Sequence, residues 1–116
     1  MKLVHSETPD QALLIEFSGE MDAAGCADIR PELEQILSTS EQKTVVLDLA
    51  DVSFIDSSGI GVIVFLYKRF KSRSQALEIV NVQGQPRELI ELLRIGSAIP
   101  VHMASNQMPG EKQCTA

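Results

Sequence analysis

The sequence predicts an α/β domain built on a single mixed, mostly parallel sheet of about five strands, with helices packed against it. Two observations lead to this fold class. Short runs of aliphatic and β-branched residues alternate with stretches whose apolar residues recur at helical spacing, which is typical of strand and helix units around a parallel sheet. The chain also opens with two strand-like runs joined by a turn, which predicts an antiparallel pair at the start.

The strand candidates are residues 3–7, 13–17, 44–49, 76–80 and 99–103. The first two are separated by the sequence Thr-Pro-Asp-Gln at residues 8–11, which favours a turn. Asp48 alone interrupts the apolar run of residues 44–49, as expected for a central strand covered on both faces.

The first helix is predicted from apolar residues that fall on one helical face: Ile29, Leu33, Ile36 and Leu37. Its start has two interpretations. Asp28 caps the helix and Pro31 lies in the first turn, or the helix begins near Ala23 and Pro31 kinks it.

Two more helices follow, and a polar tail ends the chain. One is predicted over residues 58–72, and another begins near Pro86 and is stopped by Gly96. The apolar residues expected to line this last helix are Leu89, Ile90, Leu92 and Leu93. Residues 1–103 are therefore predicted to form one domain, and residues 104–116 a disordered polar tail.

The composition of the chain argues against several classes of function. The formal net charge of −6 argues against direct nucleic-acid binding, which needs Lys and Arg to neutralise phosphates. No apolar run approaches the roughly 20 residues of a membrane span, and no signal-peptide core follows Met1, so we expect a cytoplasmic protein. Cys26 and Cys114 are expected to be free thiols, and the sequence predicts no cofactor and no metal site.

The candidate site is the sequence Asp56-Ser57-Ser58-Gly59, where a buried strand passes into an apolar helix. A Ser or Asp at this position accepts hydrogen bonds from the first free N–H groups of the helix. The same end of a helix also favours an added phosphate. Ser57 therefore has three candidate roles, as a helix cap, a phosphoacceptor or a nucleophile.

The helix after this turn is apolar on more than one side. The stripe expected to face the sheet consists of Ile60, Ile63, Val64 and Tyr67. Val62, Phe65 and Leu66 lie outside the stripe, and they are either covered by neighbouring segments or form an exposed protein interface beside Ser57.

Glycines and basic residues mark the two ends of this helix. Gly59 and Gly61 each lower helix propensity by about 1 kcal/mol relative to Ala, so something near the helix start should require close backbone approach. The basic residues within 68–73 suit the negative end of the helix dipole, and an anion or partner site is the second interpretation.

Several motifs resemble the STAS domain, in particular its anti-sigma factor antagonist branch. They are Gly19-Glu20-Met21-Asp22, the strand at residues 45–49, the Phe-Ile-Asp-Ser-Ser-Gly-Ile-Gly-Val sequence at residues 54–62, and Tyr67-Lys68. The resemblance covers roughly residues 3–103. It also implies a final amphipathic helix, although residues 105–116 show little apolar periodicity.

The resemblance implies a phosphorylation switch and no catalytic activity in this chain. Ser57 would be phosphorylated by an anti-sigma factor that is itself a serine kinase of the histidine-kinase-like ATPase fold, and a PP2C-type phosphatase would remove the phosphate. The unphosphorylated form would bind the anti-sigma factor and free a sigma factor. The residues expected to support the site are Asp22, Asp56, Ser58 and Gly59, and those expected to contact the partner are Gly61, Val62, Phe65 and Leu66.

Three alternatives remain open at this point. The first is a constitutive STAS adaptor in a stress-signalling or transporter complex, in which Ser57 is only a helix cap. The second is a receiver domain phosphorylated on Asp56, which would need an acidic pair for Mg²⁺ and a later Lys, where this chain has Asn81 and Val82. The third is a serine hydrolase, which would need His5 or His102 as a base.

Overall fold

The computed structural model of the chain describes residues 1–103, so the predicted tail at residues 104–116, with Cys114, lies outside the described residues. The strands are β1 (Lys2–Glu7), β2 (Leu13–Met21), β3 (Thr44–Ile55), β4 (Ala76–Val82) and β5 (Val101–Met103). The helices are α1 (Ala23–Thr39), α2 (Ser57–Ser72) and α3 (Gly84–Leu92), followed by a short 3-10 helix (Ile95–Ser97). None of the helices in this part of the chain is both long and apolar enough to cross a membrane.

The five strands form one sheet in the order β1-β2-β3-β4-β5. The strand pair β1 and β2 is antiparallel, and every later neighbouring pair is parallel. The predicted mixed, mostly parallel sheet is therefore confirmed, with β3 at its centre.

The ends of β2 and β3 extend beyond the predicted strands, to Met21 and Ile55. Two register shifts, one of them between Gly19 and Glu20, interrupt the pairing but do not end it. Gly19 has a φ of 114°, a conformation that glycine adopts without strain, so the strand bends there and continues. As a result, Met21 pairs with Ile55 at the carboxyl end of the sheet.

The core lies between the sheet and the helices. Ile15, Leu47 and Ile79 pair across β2, β3 and β4, and each of the three side chains is completely buried. The helices cover this row with apolar residues spaced three and four apart: Ile29, Leu33, Ile36 and Leu37 from α1, and Ile63, Leu66 and Phe70 from α2. The predicted core face of α1 is thus confirmed.

The start of α1 resolves the two interpretations of its N-terminus. Asp22 caps the helix, because its Oδ1 atom accepts a hydrogen bond of 2.8 Å from the amide of Gly25. The prediction of Asp28 as the cap is therefore wrong. Pro31 lies inside α1 on its exposed side, and the helix continues through it because the core residues on the opposite side remain packed.

The orientation of α2 differs from the predicted one. Its buried residues are Gly59, Val62, Ile63, Leu66 and Phe70, whereas Ile60, Val64 and Tyr67 are half-buried. Leu66 is completely buried and Val62 is 8% exposed, so the exposed patch predicted for these two residues is wrong. The physical reason is that α2 packs against both the sheet and α1, which leaves Phe65 half-buried at the edge of that contact.

The end of α3 was also predicted wrongly. The helix ends at Leu92, and Arg94, with a left-handed φ of 57°, turns the chain before Gly96. Of the residues expected to line its packing face, Ile90 is buried, but Leu92 and Leu93 are exposed because they follow the last full turn.

Candidate functional site

The parallel pairing of β2 and β3 places two helix starts side by side. The amide of Asp56 donates a hydrogen bond of 3.3 Å to the carbonyl of Met21, which joins the last residue of β2 to the residue after β3. Asp22 and Asp56 therefore occupy equivalent positions, each between a strand and the helix it caps. Sites in α/β sheets lie at this carboxyl edge.

Asp56 is the N-cap of α2. Its Oδ1 atom accepts hydrogen bonds from the amides of Ser58, at 2.8 Å, and Gly59, at 3.3 Å. Ser57 is the first residue of the helix and is exposed, and its hydroxyl has no hydrogen bond within residues 1–103. The candidate role of Ser57 as the helix cap is therefore wrong, since Asp56 performs it.

Gly59 is needed where α2 crosses the end of β2. A Cβ atom on Gly59 would lie 2.7 Å from both the Cβ and the carbonyl oxygen of Met21, closer than atoms pack. The predicted close backbone approach is confirmed at this glycine. At Gly61 it is wrong for the part of the chain that the structure describes, because a Cβ there would meet none of the neighbouring atoms in that part within 4 Å.

A glutamine from α3 holds the end of β3. The Gln85 side chain donates to the carbonyl of Ile55 and accepts from its amide, each at 2.8 Å. This pair of bonds fixes the backbone that leads directly into Asp56. The sequence analysis missed Gln85, because a lone glutamine after a loop carries no local signal of a contact 30 residues away.

Negative charge concentrates at the two helix starts. Burial raises the pKa of the Cys26 thiol above its ordinary value, and the nearby carboxylates of Asp56 and then Asp22 raise it further, while Arg30 opposes them. The thiol therefore stays protonated at neutral pH and is a poor nucleophile.

A groove runs between α1 and α2 beside this site. It has a volume of about 440 Å³ and is lined by Ala23, Cys26, Ala27, Arg30, Ser58, Gly61, Val62 and Phe65. The structure thus brings Ser58, Gly61, Val62 and Phe65 of the predicted site together on one surface, whereas Leu66 lies in the core below. The α1 residues were missed, although the small residues from 23 to 27 were a signal that another helix packs closely there.

The chemistry required by two alternatives is not assembled around Ser57. His5 lies on β1 and His102 on β5, the two outer strands, whereas Ser57 follows the central strand β3. Within residues 1–103, neither histidine forms a hydrogen bond to Ser57, and His102 lies 3.5 Å from the carboxylate of Glu78. The described residues also contain no group of three or more acidic, Cys or His side chains placed to hold Mg²⁺, which a receiver site needs.

The sheet order, the two capped helices and the Asp-Ser-Ser-Gly turn define a small α/β module with a serine presented at a helix start. The model of the STAS domain family matches residues 4–108, and the chain belongs to that family. The family expected from the sequence motifs is thus confirmed.

Proteins with similar sequences are named as anti-sigma factor antagonists. The chain is 24% identical to the anti-sigma F factor antagonist of Paenibacillus polymyxa over 90 residues, 78% of this chain and 77% of that protein. It is 27% identical to the anti-sigma-B factor antagonist of Listeria monocytogenes over 96 residues, 83% of each chain.

Solved structures of the anti-sigma factor antagonist SpoIIAA share the fold. The unphosphorylated form matches with a TM-score of 0.64 and 17% identity, covering 88% of this chain and 87% of SpoIIAA. The phosphorylated form of the Bacillus protein matches with a TM-score of 0.65 and 17% identity, covering 86% and 90% of the two chains.

Proposed function

We propose that this protein is an anti-sigma factor antagonist regulated at Ser57. In its unphosphorylated form it binds an anti-sigma factor that is also a serine kinase of the histidine-kinase-like ATPase fold, and a sigma factor is freed. Phosphorylation of Ser57 ends this binding, and a PP2C-type phosphatase restores it. The protein acts in the cytoplasm as a substrate and a binding partner.

The observation that carries this proposal is that Asp56, and not Ser57, caps α2. Asp56 provides the helix cap, so the exposed Ser57 hydroxyl has no hydrogen bond in the described part of the chain to lose when it is phosphorylated. A serine that a kinase phosphorylates must be exposed, and its hydroxyl must not be held in a hydrogen bond that the fold requires. The names of the similar proteins and the phosphorylated form of SpoIIAA support the same interpretation.

The charges at the turn support a switch in which phosphorylation changes the binding of the partner more than the stability of the fold. A phosphoserine brings about −1.5 to −2 units of charge at neutral pH. The amides of Ser58 and Gly59 already bond to Asp56, so they are not free to neutralise a phosphate on Ser57. The new charge would face solvent, and a partner covering it would leave it buried and unpaired at a cost of several kcal/mol.

The proposed partner surface starts at Ser58 and follows the groove. Ser58, Gly61 and Phe65 line it from α2, and Val62 forms part of its wall although its side chain is mostly buried. Leu66 supports this surface from the core and does not contact the partner. Since each 1.4 kcal/mol changes affinity tenfold, one buried phosphate is enough to abolish micromolar binding.

A constitutive adaptor is the second candidate, and Ser57 variants distinguish it from the switch. The geometry weakens the adaptor hypothesis, because its explanation of Ser57 as a helix cap is wrong. In a pull-down with the anti-sigma factor, the proposal predicts that Ser57→Ala retains the partner and Ser57→Asp does not. Equal retention by both variants would favour the adaptor.

Phosphorylation itself is tested by intact-mass measurement after incubation with ATP and each kinase-fold anti-sigma factor encoded in the same genome. We expect the wild type and Ser58→Ala to gain one phosphoryl group, and Ser57→Ala to gain none. Ser58→Ala is the matched control, because it removes a neighbouring hydroxyl and leaves Ser57 in place. Modification of Ser57→Ala, or no modification of the wild type by any of these kinases, would contradict the proposal.

A further inference from the structure

Gly61 is a glycine that the chain itself does not require. It is exposed on α2 and has no positive φ, and among residues 1–103 a Cβ there would meet nothing within 4 Å. Glycine lowers the stability of a helix relative to alanine, so its presence at an open position is unfavourable for this domain. This contrasts with Gly59, whose missing Cβ is explained by its contact with Met21.

The space above Gly61 belongs to the groove between α1 and α2. Ala23 and Ala27 line the groove from α1 and Gly61 lines it from α2, so small side chains leave the space of the groove unfilled. The groove volume of about 440 Å³ lies within the range of roughly 300 to 1,000 Å³ for pockets that hold ligands. An alanine at position 61 would project a methyl group into this volume.

Around Phe65 the rim of the groove carries two arginines, whereas the carboxylates of Asp22 and Asp56 lie near Cys26 on another part of the groove lining. The Arg30 guanidinium lies 6.0 Å from the centre of the Phe65 ring, and that of Arg69 lies 5.5 Å from it. The Arg30 side chain is 61% exposed, and among the described residues its ion pair is with Glu34, at 3.9 Å. Within residues 1–103, Arg69 forms no ion pair, so both cations face solvent beside an aromatic ring.

We infer that the groove receives an acidic, amphipathic segment of the anti-sigma factor, with an apolar side chain above Gly61 and a carboxylate between Arg30 and Arg69. This inference rests on the proposed function and names the chemistry of the partner. An aromatic ring with two guanidinium groups within 6.0 Å of its centre is a favourable surface for such a segment, since the exposed part of the ring packs with the apolar side chain and the cations pair with the carboxylate.

The sign of the partner charge follows from the two arginines together with the proposed phosphorylation of Ser57. A basic segment would be repelled by Arg30 and Arg69 and attracted by a phosphate on Ser57, so phosphorylation would strengthen its binding. An acidic segment is attracted by the two arginines and repelled by that phosphate. Ser58, which adjoins Ser57, lines the same groove, so the phosphate would stand at its end.

Gly61→Ala tests the apolar part of this inference, because it should move stability and binding in opposite directions. We expect the Tm to rise by roughly 4 °C, since alanine favours the helix. We expect the affinity for the anti-sigma factor, measured by calorimetric titration, to fall about tenfold or more because the groove is obstructed. Ala27→Leu, which fills the groove from α1, should weaken binding similarly.

The double variant Arg30→Gln with Arg69→Gln tests the charged part. We expect its affinity to fall about tenfold at low salt and to depend less on salt than that of the wild type. Lys43→Gln is the matched control, because it removes an exposed positive charge in the loop before β3 and should bind like the wild type.

The inference would be overturned if Gly61→Ala and Ala27→Leu bound the anti-sigma factor with wild-type affinity. It would also be overturned if the double arginine variant kept the affinity and the salt dependence of the wild type. The proposed function would stand if Ser57→Asp still failed to bind in the same titrations. If Ser57→Asp bound as well as the wild type, the proposed function itself would fail. A change of oligomeric state in Gly61→Ala without the partner would show that a second copy occupies the groove, and would also overturn the inference.

Discussion

Gly59 at the start of α2 lies directly against Met21 at the end of β2, with no room for a Cβ atom between them. This contact sets the position of the helix start, and with it the positions of Asp56 and Ser57, relative to the sheet. Because Met21 is completely buried, neither residue can move aside freely.

Gly59→Ala should therefore destabilise the domain in spite of the better helix propensity of alanine. The added methyl group would lie 2.7 Å from the backbone of Met21, and we expect a loss of about 2 kcal/mol in the free energy of unfolding, in the range of overpacked cores. Urea denaturation measures this loss. Gly61→Ala is the matched control and should gain stability, so an equal effect of the two substitutions would contradict the packing argument.

Asp56→Ala should lower the free energy of unfolding by about 1 kcal/mol, because it removes the acceptor for the first amides of α2. Asp56→Asn retains an oxygen at the cap and should lose less. Ser57→Ala should remain within about 0.5 kcal/mol of the wild type, since its hydroxyl is exposed and has no hydrogen bond to the residues that the structure describes. A larger loss in Ser57→Ala than in Asp56→Ala, seen in the same urea titrations, would show that the cap was assigned to the wrong residue.

The Cys26 thiol should react slowly in the folded protein. Its raised pKa keeps it protonated, and it is 8% exposed, so alkylation by iodoacetamide at pH 8 should be about tenfold slower than in urea. Mass spectrometry of the Cys26 peptide measures both rates. Asp56→Asn removes one cause of the raised pKa and should speed the native reaction, and equal rates in the folded and unfolded chain would contradict this account.

The same pKa shift gives a pH dependence of stability. The folded protein holds the Cys26 proton more tightly than the unfolded chain, whose thiol has the ordinary value of 9.0. The resulting stability is therefore fully present below pH 9 and is lost as the pH rises through the higher folded pKa. The loss between pH 8.5 and 10 should be smaller in Cys26→Ala than in the wild type. An equal loss in both would contradict the linkage.

Pro31→Ala should stabilise the domain, because Pro31 interrupts α1 at an exposed position where no core contact depends on it. Proline inside a helix costs roughly 3 kcal/mol relative to alanine, so we expect a gain of about 1 to 3 kcal/mol in the free energy of unfolding. Glu32→Ala, at the next exposed position of the same helix, should change the stability much less. A loss of stability in Pro31→Ala would show that the proline has a packing role.

Local patterns predicted most of the architecture. The apolar run of β3, interrupted only by Asp48, predicts a central strand, and the one-sided apolar spacing of α1 predicts its packing face, and both are confirmed. The continuation of β2 to Met21 was missed because the bend at Gly19 resembles a strand end in the sequence.

The face of α2 was predicted wrongly because several stripes along this apolar helix have helical spacing. The buried stripe depends on how α2 packs against the sheet and α1, and the contact of Gly59 that positions the helix start involves Met21, 38 positions earlier in the sequence. The turn from Asp56 to Gly59 was recognised from its residues, but the assignment of the cap to Asp56 required the hydrogen bonds.

In the proposed switch, one phosphate on Ser57 decides whether the anti-sigma factor binds. This is measured by titrating the anti-sigma factor calorimetrically with the protein before and after stoichiometric phosphorylation at Ser57. We expect measurable binding before phosphorylation and an affinity about a hundredfold or more lower afterwards. Equal affinity of the two forms would rule out the switch.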